Sequence, residues 1–203
     1  MYRFLTIIVF ASLSMGANAI TSIGNFSDNG GGSYTISTGR GAVTDADVET
    51  FLGLGSGAID AVSTSRVTVP TGNATEGSAI QDQVTIVNMG DVFSFDWLWL
   101  TDEDPDIWSN LWNDFAFVSL SLDGISVFAD TFTPTATSAT FSWVATRTGL
   151  LTFGVGVMDE RDTVVDSQVT VSNITVRSVP EASSSILFGL GFLGLLGLLK
   201  RKI

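Results

Sequence analysis

The sequence predicts an all-β chain: an antiparallel β-sandwich, jelly-roll-like, with one short N-terminal helix, between a signal peptide and a C-terminal hydrophobic helix. Three observations carry this expectation. Val92 to Leu100 alternates with a period of two, placing Phe93, Phe95, Trp97 and Trp99 on one face and Ser94, Asp96 and Leu98 on the other. Further β-branched or aromatic runs follow at short intervals, separated by turn-formers such as Met89-Gly90-Asp91 and Asp123-Gly124. Only one segment of the central region carries helix punctuation.

In chain order, Arg3 supplies a positive start, Phe4 to Met15 is mostly apolar, and Ala17-Asn18-Ala19 offers the small residues a signal peptidase needs. Residues 1–19 are therefore expected to be removed, leaving a mature start near Ile20. Gly24 to Gly41, rich in Gly, Ser and Asn, predicts loop with a short strand at Tyr34 to Ser37 and little packing. Thr44 followed by Asp45, Asp47 and Glu49 predicts a capped helix from Asp45 to Leu52, stopped by Gly53. Strands are then expected at Val84 to Val87, Val92 to Leu100, Asp114 to Leu122, Ser126 to Phe128, Thr137 to Val144, Leu150 to Met158 and Val169 to Arg177. At least seven strands without intervening amphipathic helices favour a sandwich over an α/β fold. The aromatic face of Val92 to Leu100 is expected in its core.

The segment 20–178 is one domain's worth of chain, and its five arginines against 20 acidic residues leave a formal charge of −15, with no lysine. Nucleic acid is excluded as a partner, because phosphate binding needs a basic footprint. The chain has neither cysteine nor histidine. Disulfides, the usual zinc, copper and haem ligand sets, and every His- or Cys-dependent catalytic arrangement fall away, leaving carboxylates as the acid/base groups.

Two acidic clusters stand out. Asp102-Glu103-Asp104-Pro105-Asp106 precedes Asn113-Asp114, and Asp159, Glu160, Asp162 and Asp166 fall in the turn before the last strand. Crowded carboxylates repel unless a cation or solvent relieves them, and hard oxygen ligands suit calcium. Calcium at Asp102, Asp104, Asp106 and Asp114, or at Asp159, Asp162 and Asp166, is one reading; a solvated acidic surface is the other. An EF-hand is ruled out by Ile107 at its sixth position and Asn113 at its twelfth. Trp108 and Trp112 lie in the first acidic segment, where a tryptophan is either buried or offers a stacking platform to a sugar ring.

The last stretch, 179–203, runs Val179-Pro180-Glu181, a small spacer, the apolar run Ile186 to Leu199 and the cations Lys200, Arg201 and Lys202. With Ala182 to Ser185 the uncharged stretch spans about 27 Å as a helix, a marginal bilayer crossing. The basic cluster holds the tail's end on the cytoplasmic side and places everything before the span across the membrane.

This tripartite tail resembles the PEP-CTERM sorting signal of exported proteins of Gram-negative bacteria, with Ala182 standing where that motif has its second proline. FLGLGSGAID at 51–60, EGSAI at 76–80, GDVFSFDWLWLTDE at 90–103, NDFAFVSL at 113–120 and VVDSQVTVSNITV at 164–176 are similar to blocks of such proteins. The closing block is also similar in style to the last strands of galactose-binding-like and carbohydrate-binding modules. The resemblance implies recognition by an exosortase near Val179, Pro180 and Glu181, passage through an inner-membrane-anchored intermediate, and a final place at the cell surface or in an exopolysaccharide matrix such as a biofilm.

Three functions are weighed: a non-catalytic surface or matrix protein, which the two terminal signals and the acidic composition favour; a calcium-dependent carbohydrate-binding module; and a glycoside hydrolase. Hydrolysis needs two carboxylates with divergent pKa values at a defined separation in a cleft, and crowded exposed acids are poor candidates for the raised one.

Overall fold

A computed structural model describes residues 20–63, 74–103, 113–161 and 163–179. They form eleven strands and one helix: β1 (Thr21–Ile23), β2 (Asn25–Gly30), β3 (Ser33–Ser37), β4 (Val43–Thr44), α1 (Asp45–Leu52), β5 (Ala74–Val87), β6 (Val92–Thr101), β7 (Phe115–Leu120), β8 (Gly124–Asp130), β9 (Thr137–Val144), β10 (Gly149–Glu160) and β11 (Ser167–Arg177).

The strands make two antiparallel sheets. One runs β1-β5-β10-β7-β8, with β4 beside β5; the other runs β2-β3-β11-β6-β9. Leaving out the short β1, β2 and β4, the chain weaves β5-β10-β7-β8 against β3-β11-β6-β9, the ordering of an eight-stranded jelly roll.

The period-two reading of β6 sets the core. Phe93, Phe95, Trp97 and Trp99 are buried between the sheets, facing Leu151, Phe153, Val155 and Val157 of β10 and Ala116, Val118 and Leu120 of β7. Ring pairs tie the layers together, with Phe93 and Phe153 centroids 4.7 Å apart and Phe95 edge-on to Phe128 at 5.6 Å. Each such ring buries on the order of 150 to 250 Å², so these side chains dominate the packing.

The helix forms where its punctuation places it. The Asp47 amide donates to Thr44 Oγ1 at 3.3 Å, and Gly53 ends α1 in a left-handed conformation at φ 68°. With the following turn, α1 lays Val48, Leu52 and Ile59 on the outer face of the β5-β10-β7 sheet, against Ala79, Phe115, Phe117 and Met158. Gly154 has no Cβ where the Leu52 side chain would meet it, which allows this close approach. β7 is thus buried on both faces, although antiparallel strands commonly keep one face wet.

Within Gly24 to Gly41 the short strand expected at Tyr34 to Ser37 forms as β3, while the expectation of loop and little packing elsewhere is corrected. This segment holds β2 and β3, and Phe26, Tyr34 and Ile36 pack on the inter-sheet core. Its polar residues occupy the alternate outward positions, while Gly24 and Gly30 to Gly32 take the positive-φ bends between β1, β2 and β3. The strand expected from Val84 begins ten residues earlier, at Ala74.

Candidate functional site

Five strand ends converge at the end of the sandwich opposite the one from which the chain leaves β11. Asp114 directly precedes β7, Asp159 is the penultimate residue of β10, Ser167 opens β11, Thr101 closes β6 and Thr38 follows β3. The last registered β10–β7 pair is Met158 with Phe115, so the next step sets Asp159 across from Asp114. Both share the alternation of the inward-facing Ala116 and Val157 and therefore point into the inter-sheet layer. Asp114 is 0% and Asp159 1% exposed.

Hydroxyls line this pair. Ser167 Oγ lies 2.6 Å from Asp114 Oδ2 and 2.8 Å from Thr101 Oγ1, and the Ser167 amide donates to Thr38 Oγ1 at 2.9 Å. The Thr38 side chain hydrogen-bonds Asp159, and the two carboxyl groups hydrogen-bond each other. Oδ1 of Asp114 and Oδ1 of Asp159, both buried, have no hydrogen-bond partner.

Burial is the main force on both acids. It pushes Asp114 up to about 7, against the Ser167 hydroxyl that favours the charged form and with Glu103 adding repulsion. It pushes Asp159 up to about 9, helped by the charge of Asp114 and opposed by Thr38. Like charges directly opposed on a sheet destabilise it, so this arrangement favours a retained proton or a bound cation.

The sequence treats 102–114 and 159–166 as two loops. The fold makes one site of their inner ends. Asp159 and Glu160 are not in the turn; they are the buried end of β10, and the solvated reading fails for both and for Asp114. The expectation that these acids are exposed and hold ordinary pKa values is likewise corrected, because the strands continue past their apolar cores. Asp102 is exposed, and Asp166 is exposed with its carboxylate against Gly39. Asp104, Asp106, Trp108, Trp112 and Asp162 lie outside the described residues, as do Ala17, Ala19, Pro180, Glu181, Lys200, Arg201 and Lys202. Val179 is described, its amide donating to Asp91 Oδ1 at 3.3 Å. Among the described residues, no three acidic side chains meet as a metal cluster, and no helix is long and apolar enough to cross a membrane.

Two further polar groups stand apart from this pair: Glu160, which the sequence groups with the second acidic cluster, and Asp96, which it places only on the outer face of its strand. Glu160 points to the outer face beneath the turn after α1, fully buried; Arg161 Nε is 3.8 Å from it and burial raises its pKa, with the Ser63 hydroxyl pulling the other way. On the exposed face of the five-stranded sheet, Asp96 accepts from Thr140 Oγ1 at 2.5 Å and Asn173 Nδ2 at 2.8 Å, which holds its carboxyl below the usual value. Asn173 sits at a bulge with φ 52°. The same period-two reading that placed the aromatic residues inside could have found the first site: the expected strand Asp114 to Leu122 already sets Asp114 in phase with Ala116 and Val118, and carrying the next from Met158 to Asp159 sets that acid inward too.

The Asp114–Asp159 geometry does not fit glycoside hydrolysis. Paired glycosidase carboxyl groups stand about 5 Å or more apart to leave room for the sugar or a water, whereas these are in hydrogen-bond contact.

No protein-family model matches the chain, and no curated protein matches it in sequence. Among solved structures it is similar to TmCBM61 in complex with beta-1,4-galactotriose, at 9% identity and a TM-score of 0.34, over 78% of this chain and 88% of that one. It is also similar to the N-terminal cellulose-binding domain of Cellulomonas fimi beta-1,4-glucanase C, at 11% identity and a TM-score of 0.33, over 82% and 92%. A family 16 carbohydrate-binding module aligns at 15% identity and a TM-score of 0.30, over 52% and 79%.

Proposed function

We propose that the chain is an exported, non-catalytic β-sandwich module of the cell surface or extracellular matrix, whose acidic end is held by calcium at Asp114 and Asp159. The observation that carries the calcium reading is the burial of two opposed carboxylates, each with an oxygen that no donor satisfies. Orphaned anionic oxygens beside the Ser167, Thr101 and Thr38 hydroxyls form a hard-oxygen donor set of the kind calcium takes. When bound there, calcium supplies the charge that lets both acids ionise. Asp114 and Asp159 would then clamp β7 to β10, while Ser167 and Thr38 orient the carboxylates from the other sheet. Export and exosortase processing at Val179, Pro180 and Glu181 rest on the sequence alone.

Isothermal titration of the purified chain with calcium tests this reading. One site, lost in Asp114→Asn and Asp159→Asn, is expected; no heat and no change in melting temperature in calcium would sink it. Mass spectrometry of the mature termini from native cells reports both cleavages, and an unchanged mature mass after Glu181→Ala would overturn the sorting assignment.

Carbohydrate binding is the second reading. Trp108 and Trp112 fall in sequence between Glu103, whose charge acts on Asp114, and Asn113, the residue before it. Calcium-dependent retention on a polysaccharide, lost in Trp108→Ala or Trp112→Ala, supports it; binding indifferent to both changes refutes it.

A further inference from the structure

The opposite end of the sandwich has a different chemistry. There the β5–β6 hairpin, the β7–β8 turn, the β9–β10 connection and the end of β11 meet. The Gly90 amide donates to the Ala145 carbonyl at 2.7 Å, Arg147 Nη2 to the Leu122 carbonyl at 3.3 Å, and the Val179 amide to Asp91.

Of the large hydrophobic side chains exposed among the described residues, all but Val164 belong to this end: Ile86 at 71%, Met89 at 65%, Val144, Leu150 and Val179. Ile86 and Leu150 are direct cross-strand partners. Arg147 and Arg177 lie here too. Of the acids at this end, Asp91 is buried and engaged by the Asn88 and Val179 amides, leaving Asp123 in the β7–β8 turn. Asp45, Asp47, Asp102, Asp114, Asp159 and Asp166 lie toward the far end. Arg40 and Arg161 lie at the far end, so arginine is shared between the two ends; what separates them is that most of the acids gather at one and the exposed apolar side chains at the other, and the chain leaves from the second.

Chain length fixes what that second pole faces. Six residues, 180–185, separate Val179 from the apolar run beginning at Ile186, and fully extended they reach about 20 Å. The 11-residue β11, which spans the sandwich, is about 35 Å long. A tether shorter than the domain keeps the Val179 end toward whatever surface Ile186 to Leu199 enters.

We propose that Ile86, Met89, Leu150 and Val179, with Arg147 and Arg177, form a seat that rests on the bilayer while the tail is inserted, holding Val179 at the headgroup level. The inference rests on the reading of Ile186 to Leu199 as a membrane segment. Exposed apolar side chains entering the headgroup boundary and arginines meeting anionic lipid are the two attractions that hold peripheral surfaces to membranes.

Because the chain has no cysteine, one introduced thiol takes a unique label. The full chain, carrying Met89→Cys or, as the far-pole control, Val164→Cys, is reconstituted into vesicles of phosphatidylcholine and phosphatidylglycerol with lipid-borne fluorescence quenchers. The expected result is flotation of both proteins with the vesicles and severalfold stronger quenching at position 89 than at 164. Flotation with equal quenching overturns the seat while leaving the membrane tail intact. Failure to float overturns the tail reading and the seat with it. A label at 89 that reports a second copy of the chain instead of lipid also overturns the proposal. Charge reversal at the two arginines should weaken quenching in vesicles with phosphatidylglycerol and leave it unchanged without it; equal loss in both lipid mixtures counts against the electrostatic half.

Discussion

Replacing Asp159 by Asn tests the acidic pair most directly, because it removes one charge and keeps the shape. The two carboxyl groups are in hydrogen-bond contact, and since two full charges even about 5 Å apart repel by roughly 3 kcal/mol at an effective dielectric near 20, that figure is a lower bound. Folded-state values of about 7 and about 9 lie above the unfolded 3.8. The folded chain therefore holds more protons than the unfolded one across that window. Its stability is complete below about pH 4 and is lost as pH rises through the folded values. Asp96, held below its ordinary value, acts in the opposite sense, losing its contribution as pH falls through its own folded value. At about 3 °C per kcal/mol for a domain of this size, the cation-free protein should melt roughly 10 °C lower at pH 9 than at pH 5. Differential scanning calorimetry in chelator at pH 5, 7 and 9 measures it. Asp159→Asn should flatten the decline, and millimolar calcium should flatten it in the unaltered chain. A melting temperature in chelator that rises toward pH 9, or a variant that melts lower than the parent at pH 9, would refute the reasoning.

The Glu49 carboxylate accepts from the Gly57 and Ile59 amides at 3.0 and 2.9 Å, so Glu49→Ala leaves donors unmatched under the turn after α1 and should cost about 3 kcal/mol in urea unfolding. A Cβ at Gly77 would meet the Val157 carbonyl, part of the partner strand's backbone, so Gly77→Ala should cost about 3 kcal/mol or more and lower the yield of folded protein, read by circular dichroism. Ending the chain after Val179 keeps every described strand and the Val179–Asp91 bond, and should leave the melting temperature within a few degrees of the parent's.

Much of this architecture was legible because its signals are local. The alternation of β6, the left-handed Gly90 and Gly124 in their turns, and the Thr44 and Gly53 caps of α1 each depend on neighbours a few residues away. β3 was legible as the short strand at Tyr34 to Ser37, but β2 and the packing of their hairpin were not, since the hydrophobic positions are sparse among Gly, Ser and Asn, and partner strands complete them. The first half of β5 hides for the same reason: Gly77 and Ser78 read as loop but lie in close contact with Met158 and Asn25. The acidic site was half legible. Which residues are acidic is plain, but the meeting of Asp114 with Asp159 is made by β-pairing between strands that β8 and β9 separate in sequence, and only the registry tells buried acids from exposed Asp102 and Asp166.

The pairing of β3 with β11 sets a condition on how the chain comes together. Thr35 bonds Thr170 from 135 positions away, so the sheet they share stays unfinished until the last strand exists. Loop closure of that length is slow and cannot begin on a partial chain. A polypeptide emerging from the ribosome N-terminus first therefore remains without its central seam until nearly all of it has been made. Completion of this sheet is thereby deferred by topology itself to the end of synthesis.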